Sequence, residues 1–482
     1  MNTTMVKFSV PSLAIRILST LNNEGFQAYI VGGAVRDLFQ QKAVYDWDFT
    51  TNAVPQQILR LFRESFYDNE FGTVRVAGKH LAIQFHMPTL GLKDFLFDIT
   101  TFRTEHGYSD RRRPDKVSWG KSIEEDLSRR DFTINAMALK AWSVEALEAA
   151  DRLARTKEAV SLSLRIIDPF SGRVDLSKKR IRAVGDPDWR FNEDALRMMR
   201  AIRIGAELAF RIEEKTFAAI QKNANLMKYV SWERIRDEFL KILASQYPAD
   251  GVLLLHSSLL LGYFLPELSE SRDIPQTGHH IYDVWTHSIE SLRHCPSTDP
   301  IVRLATLLHD LGKPRTSREK DGKITFYNHE VVGARMVAKI ADRLRLSKKH
   351  KRKLITLVRW HMFAYGPKMT DAAIRRFIRR VGVENINDMM LLRVGDRKGG
   401  GSKATSWRLR ELQQRIGEQL YEPMMVKDLK VNGHDVMEVL GIKPGSKVGE
   451  VLNTLFEEVM EDTSKNEREH LLGRIKELGK ST

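Results

Sequence analysis

Over the first 165 or so residues, short apolar runs of β type alternate with helical stretches. Gln27–Val31, Trp47–Thr50, Thr73–Val76 and Phe95–Thr101 are brief and rich in β-branched and aromatic residues, the pattern of strands. From Asn192 to Ala244 the apolar positions recur at helical spacing with few breakers. Within it, Glu193–Arg203 reads as one helix, with Leu196, Met199 and Ile202 as its buried stripe. Residues 271–400 are helical and rich in histidine, and Lys398-Gly399-Gly400-Gly401-Ser402-Lys403 reads as a loop and a boundary. The last 80 or so residues are helical and charged, interrupted by the turn Lys443-Pro444-Gly445. There is no internal repeat and no low-complexity tract. The pattern predicts an α+β head followed by an all-helical body, divided at 1–165, 166–270, 271–400 and 401–482.

Composition adds a class and a partner. A chain of 482 residues is too long for one ordinary core. Its 42% hydrophobic and 29% charged residues are those of a soluble globular protein. No apolar run has the length of a bilayer span, and Met1–Val10 lacks the basic-then-apolar pattern of a secretory signal. The single cysteine, Cys295, excludes an intrachain disulfide and agrees with a reducing cytoplasm. The expectation is therefore a cytoplasmic protein with no membrane partner. The net charge of +15 favours a polyanionic partner.

The first chemical constellation begins at Val31-Gly32-Gly33-Ala34-Val35-Arg36-Asp37, a glycine turn between a strand and a helix. Such a turn lets backbone N–H groups approach a phosphate, and Arg36 adds a bidentate donor. Asp46-Trp47-Asp48 follows. Carboxylates at i and i+2 of a strand share a face, where their repulsion calls for a cation. A hard ion such as Mg²⁺ accepts carboxylate oxygens together with substrate phosphates. Asp98, in Phe97-Asp98-Ile99-Thr100-Thr101, offers a third carboxylate from a neighbouring strand.

These runs, with Arg129-Arg130-Asp131-Phe132-Thr133-Ile134-Asn135-Ala136, resemble the class II tRNA nucleotidyltransferase and bacterial poly(A) polymerase family. The resemblance implies a polymerase-β-like nucleotidyltransferase head, followed by an all-helical neck, an HD domain and a tail. It implies Asp46 and Asp48 as metal ligands, Asp98 as the third catalytic carboxylate, and Gly33, Arg36 and Arg130 as contacts to the nucleotide.

Asp194 and Arg197 stand three apart on the expected helix, neighbours on its surface. Cytosine and adenine each present an exocyclic amine beside a ring-nitrogen acceptor, whereas uracil and guanine present the opposite order. A carboxylate only accepts and a guanidinium only donates. One fixed Asp–Arg pair therefore admits C and A and leaves U and G with opposed groups. In the family that Asp46 to Ala136 resemble, the protein template falls on these two residues, and the resemblance places Arg200 and Arg203 near the nucleotide. Ser231-Trp232-Glu233-Arg234-Ile235 and Glu238 resemble the end of the family's neck, a structural role. Asp110-Arg111-Arg112-Arg113-Pro114 corresponds to the family's flexible loop, which terminal A addition requires.

The third constellation is His287, the adjacent pair His309-Asp310, then His329, His361 and Asp396. Imidazole with carboxylate suits Mn²⁺, Fe²⁺, Ni²⁺ or Mg²⁺. This region resembles the HD phosphohydrolase superfamily. The resemblance implies His287, His309, Asp310 and Asp396 as the metal set, with His329 and His361 for phosphate or a second metal. Near the end, Asp428–Gly433 and Leu440–Gly445 resemble the tail segment that grips tRNA, which puts Lys443 and the backbone of Gly445 on RNA phosphate.

The reading is CCA addition to the 3′ end of tRNA from CTP and ATP. Mg²⁺ would serve in the head and a transition metal such as Ni²⁺ or Mn²⁺ in the HD domain. A poly(A) polymerase or A-adding tRNA nucleotidyltransferase shares every motif. An HD phosphohydrolase with an RNA-binding head is the alternative of another class.

Overall fold

The computed structural model describes residues 4–67, 72–87, 95–106, 116–120, 122–276, 281–320, 323–363, 365–366 and 368–480. Among the described residues, ten strands occur before residue 170: β1 (Met5–Pro11), β2 (Ala28–Val31), β3 (Trp47–Thr51), β4 (Phe66–Tyr67), β5 (Thr73–Ala77), β6 (Leu96–Thr101), β7 (Arg103–His106), β8 (Lys116–Trp119), β9 (Ala138–Ala141) and β10 (Ala159–Ile167). Eight of them form one sheet in the order β1-β10-β9-β2-β3-β6-β5-β4, while β7 and β8 pair with each other. Only β3 and β6 run parallel within the large sheet. All four residues of β2 are buried, as for a strand covered on both faces. Outer strand β10 instead alternates: Val160, Leu162 and Leu164 are buried between more exposed neighbours.

The four expected strands match β2, β3, β5 and β6 to within a residue at each end. Asp46 itself precedes β3 and is exposed, so the two carboxylates of Asp46-Trp47-Asp48 are not both carried by the strand. Strand β9 has the composition Ala-Leu-Lys-Ala, with no β signature. It is a strand because β2 and β10 pair with it from both sides.

The expected helix Glu193–Arg203 is two helices. Pro187–Glu193 ends at Asp194, whose backbone is extended (φ −145°, ψ 105°), and Leu196–Leu208 begins anew. The physical reason is local capping. The Asp194 carboxylate accepts a hydrogen bond from the Leu196 N–H at 3.1 Å, which holds the chain out of the helix. Leu196, Met199 and Ile202 are buried along the second helix.

The chain divides into two compact units, Met1–Ile242 with Leu254–Tyr263 and Leu243–Leu253 with Phe264–Thr482. The second is built from helices, among them Val284–Arg293, Pro300–Leu308, His329–Arg343, Lys348–Trp360, Asp371–Val381 and Ile386–Gly399. Asp283 and Asp299 cap the first two of these by accepting from Thr286 and Ile301 N–H groups. The run Lys398–Lys403 starts inside the last turn of Ile386–Gly399 and continues as loop. At the C-terminal end, Leu429, Val436, Leu455, Phe456, Val459 and Leu471 share a core. No helix of the described residues is long and apolar enough to cross a membrane.

Candidate functional site

Register sets the first site. Parallel pairing of β3 and β6 puts Asp48 directly beside Asp98, and antiparallel pairing puts Val31, the residue before the glycine turn, beside Asp48. Arg75 on β5 lies opposite Asp98 and grips it bidentately at 2.7 and 2.8 Å. Gly32 turns the chain with φ +71°, and a Cβ there would stand 3.1 Å from both an Asp48 oxygen and the Arg130 guanidinium. Glycine is thus required twice, for conformation and for room. Burial and the nearby Asp98 and Asp46 carboxylates outweigh Arg130 and push the Asp48 carboxyl up to about 6.

A cavity of about 390 Å³ opens at these carboxylates. Its lining includes Gly32, Gly33, Asp48, Asp98, Arg129, Arg130, Asp131 and Asn135, together with Asp194, Arg197 and Arg200. Several of the cations are fixed by carboxylates behind them. Asp126, fully buried, holds Arg129 at 2.6 Å and Arg130 at 3.2 Å. Asp131 accepts from Arg200. Burial opposes the charge on Asp126 and Asp131, but the guanidiniums prevail and hold both carboxyls below the usual range. Asp194 and Arg197 are held separately: Asp194 accepts from Arg234 at 2.7 Å, and Arg197 is paired with Glu193.

The second site gathers six side chains from five helices and their ends. His287 Nε2 lies 3.2 Å from Asp396 Oδ1 and 3.4 Å from Asp310 Oδ2, and His309 Nε2 lies 3.2 Å from the same Asp310 oxygen. The other Asp310 oxygen is 3.2 Å from His329 Nε2 and 3.6 Å from His361 Nε2. Asp310 therefore joins two ligand clusters, His287–His309–Asp310 and Asp310–His329–His361. The Nδ1 atoms of His309, His329 and His361 lie 2.7–2.8 Å from the carbonyls of Thr306, Phe326 and Val358. Donation to those carbonyls fixes the rings and leaves Nε2 for a ligand. Burial disfavours charge on His309, yet Asp310 and Asp396 overcome it and push its pKa up. The cluster thus favours positive charge at the place where its donor set would hold a metal. A cavity of about 650 Å³ leads to the cluster, past Lys313, Phe326, Tyr327 and Arg393.

The regions that carry both sites match known families. Residues 28–182 match the family model "Poly A polymerase head domain", residues 277–397 the "HD domain" model, and residues 342–475 a model of domain 2 of tRNA nucleotidyltransferases. The chain is 30% identical to the CCA-adding enzyme of Ligilactobacillus salivarius over 472 residues, 96% of each. It is 32% identical to the A-adding tRNA nucleotidyltransferase of Deinococcus radiodurans over 450 residues, 89% of this chain and 91% of that one. The chain belongs to the tRNA nucleotidyltransferase family. A crystal structure of the Bacillus stearothermophilus CCA-adding enzyme in complex with CTP shares its fold, with a TM-score of 0.68 and 25% identity over 97% of each chain.

In this nucleotidyltransferase, Gly33, Asp48, Asp98, Arg130, Asp194, Arg197 and Arg200 meet at one cavity. Three other expected residues are not among its lining residues. Asp46 is exposed ahead of β3. The Arg36 guanidinium donates to Asp37 and to Asn135, so it braces a lining residue rather than facing the cavity itself. Arg203 turns to Glu238 at 2.7 Å and to Glu207, because steps of three carry it round the helix from Arg197. The loop Asp110–Pro114 lies outside the described residues. Lys443 and Gly445 are exposed, and Gly445 precedes the helix Ser446–Glu461. Sequence reasoning gave no role to Arg75, Asp126, Asp131 and Glu193. Spacing of three and four residues between Asp126 and the two arginines was the legible signal for one of them.

Proposed function

We propose that this chain rebuilds the 3′ end of tRNA, adding C, C and A in turn from CTP and ATP without a nucleic-acid template. The observation that carries the reading is the one cavity lined by Asp48 and Asp98 and also by Asp194 and Arg197. Asp46 and Asp48 would hold Mg²⁺. Their fit rests on the Asp48 carboxyl, raised to about 6 by burial and its acidic neighbours, which a divalent cation relieves. When bound, Mg²⁺ supplies charge neutralisation at the reacting phosphate. Gly32 and Gly33 leave the backbone open to the triphosphate, with Arg129 and Arg130 fixed by Asp126 beside it. Asp98, oriented by Arg75, would accept the proton of the 3′ hydroxyl. The hydroxyl oxygen attacks the α-phosphorus, and the bond to pyrophosphate breaks. Most of the acceleration is positioning.

Base choice falls to hydrogen-bond polarity. Asp194 already accepts from Leu196 and Arg234, and a carboxylate has about four acceptor sites, so it retains capacity for an exocyclic amine. Arg197 donates to the ring nitrogen, leaving Glu193 to do so. Lys443 and the Gly445 backbone would meet tRNA phosphate. A cytoplasmic location fits the lone Cys295.

The second site we read as a phosphohydrolase centre. His287, His309, Asp310 and Asp396 would hold Ni²⁺ or Mn²⁺, and the substrates would be phosphoesters such as 2′,3′-cyclic and 2′-phosphates. Water adds to phosphorus, the ester P–O bond breaks, and the proton leaves with the alcohol. For the first site, the Deinococcus radiodurans relative favours a second reading, addition of A alone. One experiment decides. tRNA ending at the discriminator base, and tRNA ending in CC, are incubated with each nucleoside triphosphate alone and together, and the products sequenced. CCA on the first substrate is expected; extension of the CC-ended substrate only, by A, would establish the second reading.

A further inference from the structure

The sheet face that carries the carboxylates of the first site has a second row of polar side chains beside them. Paired residues of neighbouring strands share a face, so Arg75, Asp98 and Asp48 make one row across β5, β6 and β3. Two residues along each strand, the next row on that face is Thr73, Thr100 and Thr50. The three threonines differ in their surroundings. Thr50 is fully buried and donates to the Thr100 carbonyl at 3.1 Å. Thr73 and Thr100 are half-buried and line the same cavity as Asp48 and Asp98. Their hydroxyl oxygens lie 3.0 Å apart, and among the described residues the two hydroxyls bond only to each other.

Cross-strand threonines stabilise a sheet wherever they pair. What sets this pair apart is the space it faces and the bonding capacity it keeps. Each hydroxyl has one donor and two acceptor positions, and the mutual bond uses one donor and one acceptor. One O–H and about three acceptor positions are left for the cavity. That remainder complements another hydroxyl, which both donates and accepts. A phosphate would use the donor alone, and an ammonium the acceptors alone.

Register decides which hydroxyl. Val31 lies beside Asp48 and leads into Gly32 and Gly33, whereas Tyr29 lies beside Thr50. The glycine turn and the threonine pair therefore flank the carboxylate row on opposite sides. In nucleotidyl transfer the attacking and leaving oxygens lie roughly in line through phosphorus. With the triphosphate at the glycine turn, the attacking oxygen approaches from the threonine side. An RNA end brings its 3′-hydroxyl with a 2′-hydroxyl on the adjacent carbon. Side chains two apart on one face of a strand stand roughly 6.6 Å apart, a span that one ribose bridges with hydrogen bonds at both ends.

Resting on the nucleotide-addition reading of the first site, we propose that Thr73 and Thr100 receive the 2′-hydroxyl of the terminal ribose of the RNA being extended. The pair then selects an RNA end over a DNA end and holds the 3′-hydroxyl against Asp98. It reads the sugar of the primer, while Asp194 and Arg197 read the base of the incoming nucleotide.

The test uses the full-length protein with Mg²⁺, ATP and tRNA ending in CC, whose last sugar is either ribose or 2′-deoxyribose. Wild type should prefer the ribose end about 10-fold in kcat/KM, the scale of hydrogen bonds lost with one hydroxyl. Thr100→Val and Thr73→Val keep the β-branched shape and remove one hydroxyl each. Either is expected to lower kcat/KM on the ribose end by about 3- to 10-fold, and on the deoxyribose end by less than about 2-fold. Thr100→Ser, which keeps the hydroxyl, should restore the preference, and serves with Thr73→Val if Thr100→Val does not fold. The preference for ATP over dATP should stay that of wild type. Equal losses on both ends, or a wild type indifferent to the last sugar, overturn the proposal. So does a changed preference between ATP and dATP, which would assign the pair to the incoming sugar. If wild type extends neither tRNA, the nucleotide-addition reading fails by itself. Filter binding of the two tRNAs then judges the pair: tighter binding of the ribose end that the valine variants lose upholds it, and equal affinity overturns it.

Discussion

Most charged side chains at the first site are held by another, and that pairing decides what single substitutions do. Asp48 is the carboxylate whose charge is least compatible with its surroundings, and it stands beside Asp98 on the next strand. Asp48→Ala should lower nucleotide addition by more than about 100-fold, the scale of losing a group that acts on the reacting charge. tRNA affinity, measured by filter binding, should change little; full activity would refute the metal role. In the same cavity, Asp194→Asn gives the base a donor where it had only an acceptor. Single-nucleotide incorporation should then show UTP and GTP accepted at rates nearer those of CTP and ATP. Unchanged selectivity would place the template elsewhere. Asp126 makes a pH-dependent contribution. Its carboxyl is buried but held low by Arg129 and Arg130, so it releases its proton more readily folded than unfolded. Its stabilisation is present above the unfolded value near 3.9 and is lost as pH falls through the folded value. Thermal melts of the wild type should fall in acid below about pH 4. Asp126→Asn should melt lower at neutral pH, by about 3 kcal/mol for guanidiniums left uncompensated, with a shallower acid slope.

At the scale of elements, two local choices shape the sites. The break at Asp194 frees its carboxylate from a regular helix surface, and Arg234 on the helix Trp232–Ala244 takes one of its oxygens. Helical periodicity did not show this break, because Asp is tolerable within a helix and becomes a cap only when its side chain finds a backbone N–H. In the second unit, the helices Val284–Arg293 and Ile386–Gly399 approach closely. A Cβ on Gly399 would lie 2.3 Å from the Ser291 hydroxyl oxygen and 2.5 Å from the Ser291 nitrogen. That approach brings His287 within 3.2 Å of Asp396. Gly399→Ala is expected to destabilise by about 1–3 kcal/mol as the helices part. Ni²⁺ titration should show affinity reduced by roughly 10- to 100-fold, the cost of disturbing what orients a ligand. A variant with native Ni²⁺ affinity would show that the glycine contact does not position the site.

For the whole molecule, the two candidate sites fall in different units. Asp48, Asp98, Asp194 and Arg197 belong to the first, and the six residues of the histidine cluster to the second. His309→Ala should abolish phosphate release with Ni²⁺ or Mn²⁺ and leave CCA addition with Mg²⁺ within about 2-fold of wild type, since independent sites behave additively. A folded variant that loses both would show the units coupled. The ligand types point the same way. One set is carboxylate-only and the other imidazole-rich, so a transition metal should stimulate one activity selectively.

The sequence by itself determined much of this protein: four central strands, most of the residues that gather at the two candidate sites, the neighbouring Asp194 and Arg197, and the basic character that suits RNA. These are legible because strands and helices declare themselves by period, and because metal and phosphate chemistry draws on few residue types. Tertiary structure alone decided the rest. It made Ala138–Ala141 a strand through neighbours on both sides, and it put Asp48 beside Asp98 through strand register. It assigned Arg203 to Glu238 and Arg36 to Asn135, away from the place their motifs suggest. The physical reason is common to all of these. A side chain's type fixes what it can bond to, but which partner lies within 3 Å or so is a property of packing between segments far apart in the chain.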